Sequence, residues 1–158
     1  MSYQDNIITA TENAIESIFR SARAMPAEKI DWSPLAEGRT VLDLLQECAA
    51  TPLWFVQMIT LRKFPDMTPE DMAKGREARK QWTTIDECEK ICKENSAKLY
   101  DAMRAVPEAD FMIMVHVPFG GGMDMPLMGV MTAHHWNLTY HLGQVNYIQT
   151  LYGDKEMH

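Results

Sequence analysis

The sequence predicts an all-α fold, a bundle of four long helices with a short extended or hairpin segment before the last one. Three observations predict it. Apolar residues recur at three and four along four separate stretches, the period of a helix with one buried face. Pro26, Pro107 and Gly153 fall where three of those stretches run out. The sole extended, apolar run, Phe111 to Val117, precedes the fourth helix and has only a short partner after it. With 158 residues the chain reads as a single domain spanning 1–158, large enough to bury about two-thirds of its unfolded surface.

The first helix is expected from Tyr3 to Ala24, with Ile7, Ile8, Thr11, Ala14, Ile15, Ile18, Phe19 and Ala22 on its inner face. Pro26 stops it, because the residue before a proline is pushed out of the helical region. Met25 to Arg39 connects, with Trp32 as an anchor. Thr40 then caps a second helix running to about Arg62, whose inner side is Val41, Leu44, Leu45, Cys48, Thr51, Trp54, Phe55, Met58 and Ile59. Pro52 lies inside it and removes one backbone bond, so a kink is expected there. Lys63 to Gln81 reads as a long link with at most a helical turn near Pro69 to Ala73. Its length allows a crossover in place of a simple up-and-down path.

Thr84-x-x-Glu87 is a capping box that opens a third helix. This helix buries Ile85, Cys88, Cys92, Ser96, Leu99, Met103 and Val106 and ends at Pro107. Phe111 to Val117 and Met123 to Met125 flank Pro118-Phe119-Gly120-Gly121-Gly122, which reads as a hairpin or flap. The final helix is expected from about Pro126 to Leu151, with Gly153 just past its end.

That last helix carries the chemistry. Advancing 100° per residue, one arc holds Leu127, Val130, Ala133, His134, Asn137, His141, Gln144, Val145, Ile148 and Tyr152. The polar members His134, Asn137, His141 and Gln144 are therefore turned inward. Each would cost about 1–3 kcal/mol if buried without a partner. A metal, a polar cavity or a hydrogen-bond network would each account for them. Asn137 and His141, four apart, can converge on one point, whereas His134 and His141 are separated by about 10.5 Å of helix rise. Glu47 is the acidic residue at the edge of the second helix's inner arc. A set of Glu47, Asn137 and His141 is open and oxygen-rich, suiting a harder divalent ion better than zinc. The same residues can instead satisfy one another as a metal-free core network. Trp54, a neighbour of Glu47 on the helical wheel, joins Asn137, Gln144 and His134 as candidate cavity lining.

Other features exclude more than they assign. A net charge of −7 with no basic face argues against nucleic acid. Pro52 to Leu61 is too short to span a bilayer. Three cysteines without a C-x-x-C pair, and no leader-like segment at Met1, set the expectation of reduced thiols in a cytoplasm. Cys48, Cys88 and Cys92 lie on apolar arcs and read as small hydrophobes. Gly120 to Gly122 lacks a following Lys-Ser/Thr and is a turn, not a phosphate loop. Trp136, Tyr140 and Tyr147 form a second flank of the last helix, suited to a dimer contact or to packing on the first helix.

Tyr140-His141-Leu142-Gly143-Gln144 resembles the H-x-G-Q signature of the DinB/YfiT-like superfamily of four-helix bundles. Lys29-Ile30-Asp31-Trp32-Ser33-Pro34, followed by Gly38-Arg39-Thr40-Val41-Leu42-Asp43-Leu44-Leu45, resembles that superfamily's approach to its second helix. The resemblance implies an up-down-down-up bundle and a homodimer. It also implies a divalent metal held by one histidine of the second helix and two of the fourth, and in some members a thiol-dependent transferase or isomerase activity. Against that pattern the ligand set here is degenerate. Of the ligands only His141 matches by type, Glu47 and Asn137 stand where the other two histidines fall, and Leu142 replaces a frequent arginine. The expected function is a metal-assisted transferase or hydrolase acting on a small molecule, with Glu47 and His141 catalytic. The alternative is a metal-free, catalytically degenerate binding or dimeric bundle.

Overall fold

A computed structural model describes all residues, 1–158. It is a four-helix bundle with a broken second rod, one extra helix and a small hairpin. The elements are α1 (Tyr3–Arg23), α2 (Val41–Ala50), α3 (Pro52–Leu61), α4 (Pro69–Arg79), α5 (Ile85–Arg104), β1 (Met114–Val117), β2 (Met123–Pro126) and α6 (Leu127–Leu151). α2 and α3 together form the second rod.

Chain direction follows from which ends meet. Gln149 Nε2 near the end of α6 donates to the Ser21 carbonyl near the end of α1 at 3.0 Å, so these rods are parallel. Arg23 at the end of α1 pairs with Asp86 at the start of α5 at 2.7 Å, so those two are antiparallel. At the opposite pole Gln4 Nε2 donates to the Val106 carbonyl at 3.1 Å, just past the end of α5. Asn95 Nδ2 donates to the Ala49 carbonyl at 2.9 Å, and Cys92 Sγ reaches the Cys48 carbonyl at 3.5 Å, which lays α5 beside α2. The order is up-down-down-up.

Local chemistry explains the ends. Ser2 with Asp5, Thr68 with Asp71 and Thr84 with Glu87 make reciprocal capping boxes, and Thr40 accepts from the Asp43 N–H. The kink expected at Pro52 is a break between two abutting helices. Thr51 keeps helical angles (φ −61°, ψ −30°), and Pro52 starts α3, where a missing N–H costs nothing. The link before α5 holds an eleven-residue helix where only a turn was expected. α4 buries none of its residues, so it has no apolar stripe to betray it, although Thr68-Pro69-Glu70-Asp71 carries the start signal.

Two apolar clusters fill the interior. One gathers Ile18, Phe19, Leu44, Leu45 and Leu138, and the other Ile59, Leu99, Met103, Leu127 and Met131. α1, α5 and α6 run through both, while α2 serves the first and α3 the second. β1 and β2 pair antiparallel with Val117 opposite Met123, and Gly120, Gly121 and Gly122 turn between them at φ of 63°, 91° and 85°. This left-handed region is open chiefly to glycine. No helix is long and apolar enough to cross a membrane.

Candidate functional site

Glu47 sits on the second turn of α2, where buried Leu44, Leu45 and Cys48 fix the face it is carried on. Across from it, buried Leu138 and Val145 seat α6 so that Asn137 and His141 are also buried, while Gln144 is half-buried. The four polar side chains meet. His141 Nε2 lies 3.0 Å from Glu47 Oε1, and its Nδ1 lies 2.6 Å from Gln144 Oε1. Asn137 Nδ2 points at the same Glu47 oxygen from 3.5 Å, and Thr51 Oγ1 donates to Asn137 Oδ1 at 3.2 Å. The broken rod thus adds Thr51 to the site.

The other Glu47 oxygen faces arginine. Arg39 Nη2 is 2.7 Å from Oε2, and Arg79 Nη1 is 3.5 Å from it. Both guanidiniums also hold Asp43, Arg79 through Nη2 at 2.9 Å. Burial pushes the Glu47 carboxyl up, but the bonds from His141 and Arg39 outweigh it and hold the group at about 2. Glu47 is therefore an anion at neutral pH. The two arginines were not anticipated. Arg39, Asp43 and Glu47 are spaced four apart, a signal for one of them. Arg79 arrives on a helix the sequence did not reveal.

Glu47, Asn137, His141 and Gln144, expected to line one cavity, come together as a hydrogen-bonded network whose two ends face different openings. Glu47 and Trp54 open onto a cavity of about 300 Å³, walled by α4 and by Phe119 from the hairpin tip. Gln144 and Arg39 open onto a separate groove of about 700 Å³ beside Trp32 and Tyr147. His141 and Asn137 lie between, so the polar network is a partition with a different space on each side. His134 leaves the site altogether. It is turned to α5, its Nε2 3.1 Å from Ser96 Oγ and its ring 6.3 Å from that of Phe55, with Nδ1 unpartnered. Burial, aided by His135, lowers it to about 3, so it is a neutral core residue.

Burial raises the Cys88 and Cys92 thiols to about 12 and Cys48 well upward, which makes all three poor nucleophiles. Trp136 and Tyr147 are 63% and 65% exposed, so their flank does not pack on α1.

Could this site hold a divalent cation? No cluster of three or more His, Cys, Asp or Glu side chains occurs anywhere in the molecule, so a metal would rest on Glu47, His141 and the Asn137 amide. The His141 geometry fits one. When Nδ1–H donates to Gln144, a neutral ring aims its Nε2 lone pair at Glu47 Oε1. The contact is bridged either by the Nε2–H of the other neutral tautomer, with the Gln144 amide turned to donate to Nδ1, or by a cation that both groups ligate.

No family model matches the sequence, and no curated protein does. Solved structures do match in fold. YfiT from Bacillus subtilis, described as a probable metal-dependent hydrolase with an unusual four-helix bundle topology, superposes with a TM-score of 0.77 at 12% identity, over 95% of this chain and 87% of that one. A mycothiol-dependent maleylpyruvate isomerase superposes with a TM-score of 0.70 at 14% identity, over 92% of this chain. This chain spans 63% of the isomerase's length. A histidine-to-alanine variant of that isomerase gives a TM-score of 0.68. The fold is the four-helix bundle topology of YfiT.

Proposed function

We propose that the chain is a metal-assisted hydrolase or transferase acting on a small molecule at the partition between α2 and α6. The observation that carries this reading is the Glu47–His141 contact, in which a carboxylate oxygen and an imidazole nitrogen converge to 3.0 Å with the Asn137 amide beside them. Glu47, His141 and Asn137 would hold a divalent cation, the Asn137 amide turning its oxygen inward. A cation bound there lowers the pKa of a coordinated water or thiol, or polarises a carbonyl.

The chain's own residues do the rest. The bonds from His141 and Arg39 keep Glu47 ionised. Gln144 fixes the ring and tautomer of His141, which raises its quality as a ligand or base. Trp54 and Phe119 cover the cavity beside Glu47 and limit water there. The isomerase sharing this fold depends on mycothiol, and the same cavity could admit a thiol co-substrate.

One observation favours a second reading, a metal-free binding bundle. Arg39 and Arg79 already balance Asp43 and Glu47, and a proton on His141 satisfies both of its contacts. Elemental analysis of protein purified without chelator separates the two. Stoichiometric divalent metal, lost in Glu47→Ala and in His141→Ala, supports the first. Absence of metal, with thermal stability unmoved by added Mn, Ni or Zn, supports the second.

The exposed Trp136–Tyr140 stack on α6, at 5.2 Å between ring centroids, is proposed as the contact for a second copy of the chain. Sedimentation would then report a dimer, and Trp136→Ala with Tyr140→Ala a monomer.

A further inference from the structure

α4 covers the Glu47 side of the partition, and it presents a particular face to the cavity. Met72, Gly75, Arg76 and Arg79, spaced three and four apart, all line it. Arg79 is committed to Asp43 and Glu47. Arg76 is not committed to anything. The acidic side chains nearest it on α4 are engaged elsewhere: Glu70 with Lys74 at 2.8 Å, Glu77 with Lys80 at 2.7 Å, and Asp71 in the cap with Thr68. A free guanidinium thus stands at a cavity whose own anion, Glu47, is already neutralised by two others. This occurs in a chain with a net charge of −7, so the positive charge is local to this opening.

The opposite wall is aromatic. Trp54 and Phe119 lie 6.4 Å apart with their rings 22° from parallel, and Phe64 meets Phe119 edge-on at 5.3 Å. Between these walls Gly75 leaves room, since a Cβ built there would meet no atom within 4 Å.

Building on the reading of the partition as the reacting site, we infer that the substrate is a small planar organic acid. Its carboxylate is bound by Arg76, and its flat apolar body lies against Trp54 and Phe119. Guanidinium matches carboxylate as a planar fork, and an aromatic wall favours a planar body of modest area. The available volume, about 300 Å³, admits a single-ring acid. Arg76 is the residue that sets specificity, while Gly75 sets the size limit.

Benzoate and its neutral isostere benzamide test this by calorimetric titration in buffer containing EDTA, with the change in tryptophan fluorescence that is lost in Trp54→Phe as a second readout. The expected result is that benzoate binds about tenfold or more tightly than benzamide, and that Arg76→Gln abolishes the difference while leaving benzamide unchanged. Arg76→Lys should retain part of the preference, and Gly75→Leu should weaken both probes. Urea midpoints of the variants, matching that of the parent, separate these effects from misfolding. Equal binding of the two probes, no binding of either, or a preference that survives Arg76→Gln would overturn the inference. Because the titration is run in chelator, its failure leaves the metal measurement untouched, and an absence of metal leaves the benzoate result standing.

Discussion

Half-buried Glu47 and buried His134 are titratable residues that make opposite demands. The Glu47 carboxyl is held at about 2, below its ordinary 4.5, so its ionised form stabilises the fold at neutral pH. That contribution is complete above pH 4.5 and is lost as pH falls toward 2. At about 1.4 kcal/mol per pKa unit it amounts to about 3 kcal/mol. His134 is lowered from 6.5 to about 3, so the folded protein keeps it neutral while the unfolded chain takes up a proton. Stability therefore drops as pH falls below 6.5, before Glu47 begins to matter. We expect urea unfolding of the parent to lose about 2 kcal/mol between pH 6.5 and 4.5. His134→Leu should flatten that window, and Glu47→Gln should flatten the one below it. Inward placement of His134, Asn137 and His141 was legible from their spacing. What each one touches was not, because a helical wheel gives direction but says nothing of the rod opposite.

The helices differ in how much of the fold depends on them. α5 buries seven residues, so its capping box feeds directly into global stability. Thr84→Ala should lower the unfolding free energy by about 1 kcal/mol, read from the urea midpoint. α4 carries the same kind of cap and buries nothing. Thr68→Ala should leave the urea midpoint where it is and speed hydrogen exchange of the α4 amides alone. This difference also explains which elements could be read in advance. The rods α1, α5 and α6 announce themselves by apolar spacing, and Pro52 marked the division of the second rod. α4 has a start signal and no stripe, so periodicity passed over it. With it went Arg76 and Arg79, the two guanidiniums that give the cavity its charge.

Across the whole molecule, the bundle rests on side chains from both ends of the chain. Phe19 is completely buried among residues from α1, α2 and α6. Phe19→Ala should cost about 3–5 kcal/mol, a large part of the 5–15 kcal/mol typical of a domain, measured as a fall in urea midpoint. The fold class was legible from four apolar stripes, whereas the up-down-down-up order came from the family resemblance, the long link only allowing a crossover. The two-sided partition was not legible, since it depends on where the crossover returns. That return has a practical consequence. Apart from Arg79, which holds Asp43 and Glu47, residues 69–79 frame the entrance and bury nothing, so what the protein admits is largely uncoupled from whether it folds. The segment could be exchanged for another of equal length to retune the choice of guest, with the bundle beneath keeping its thermal resistance.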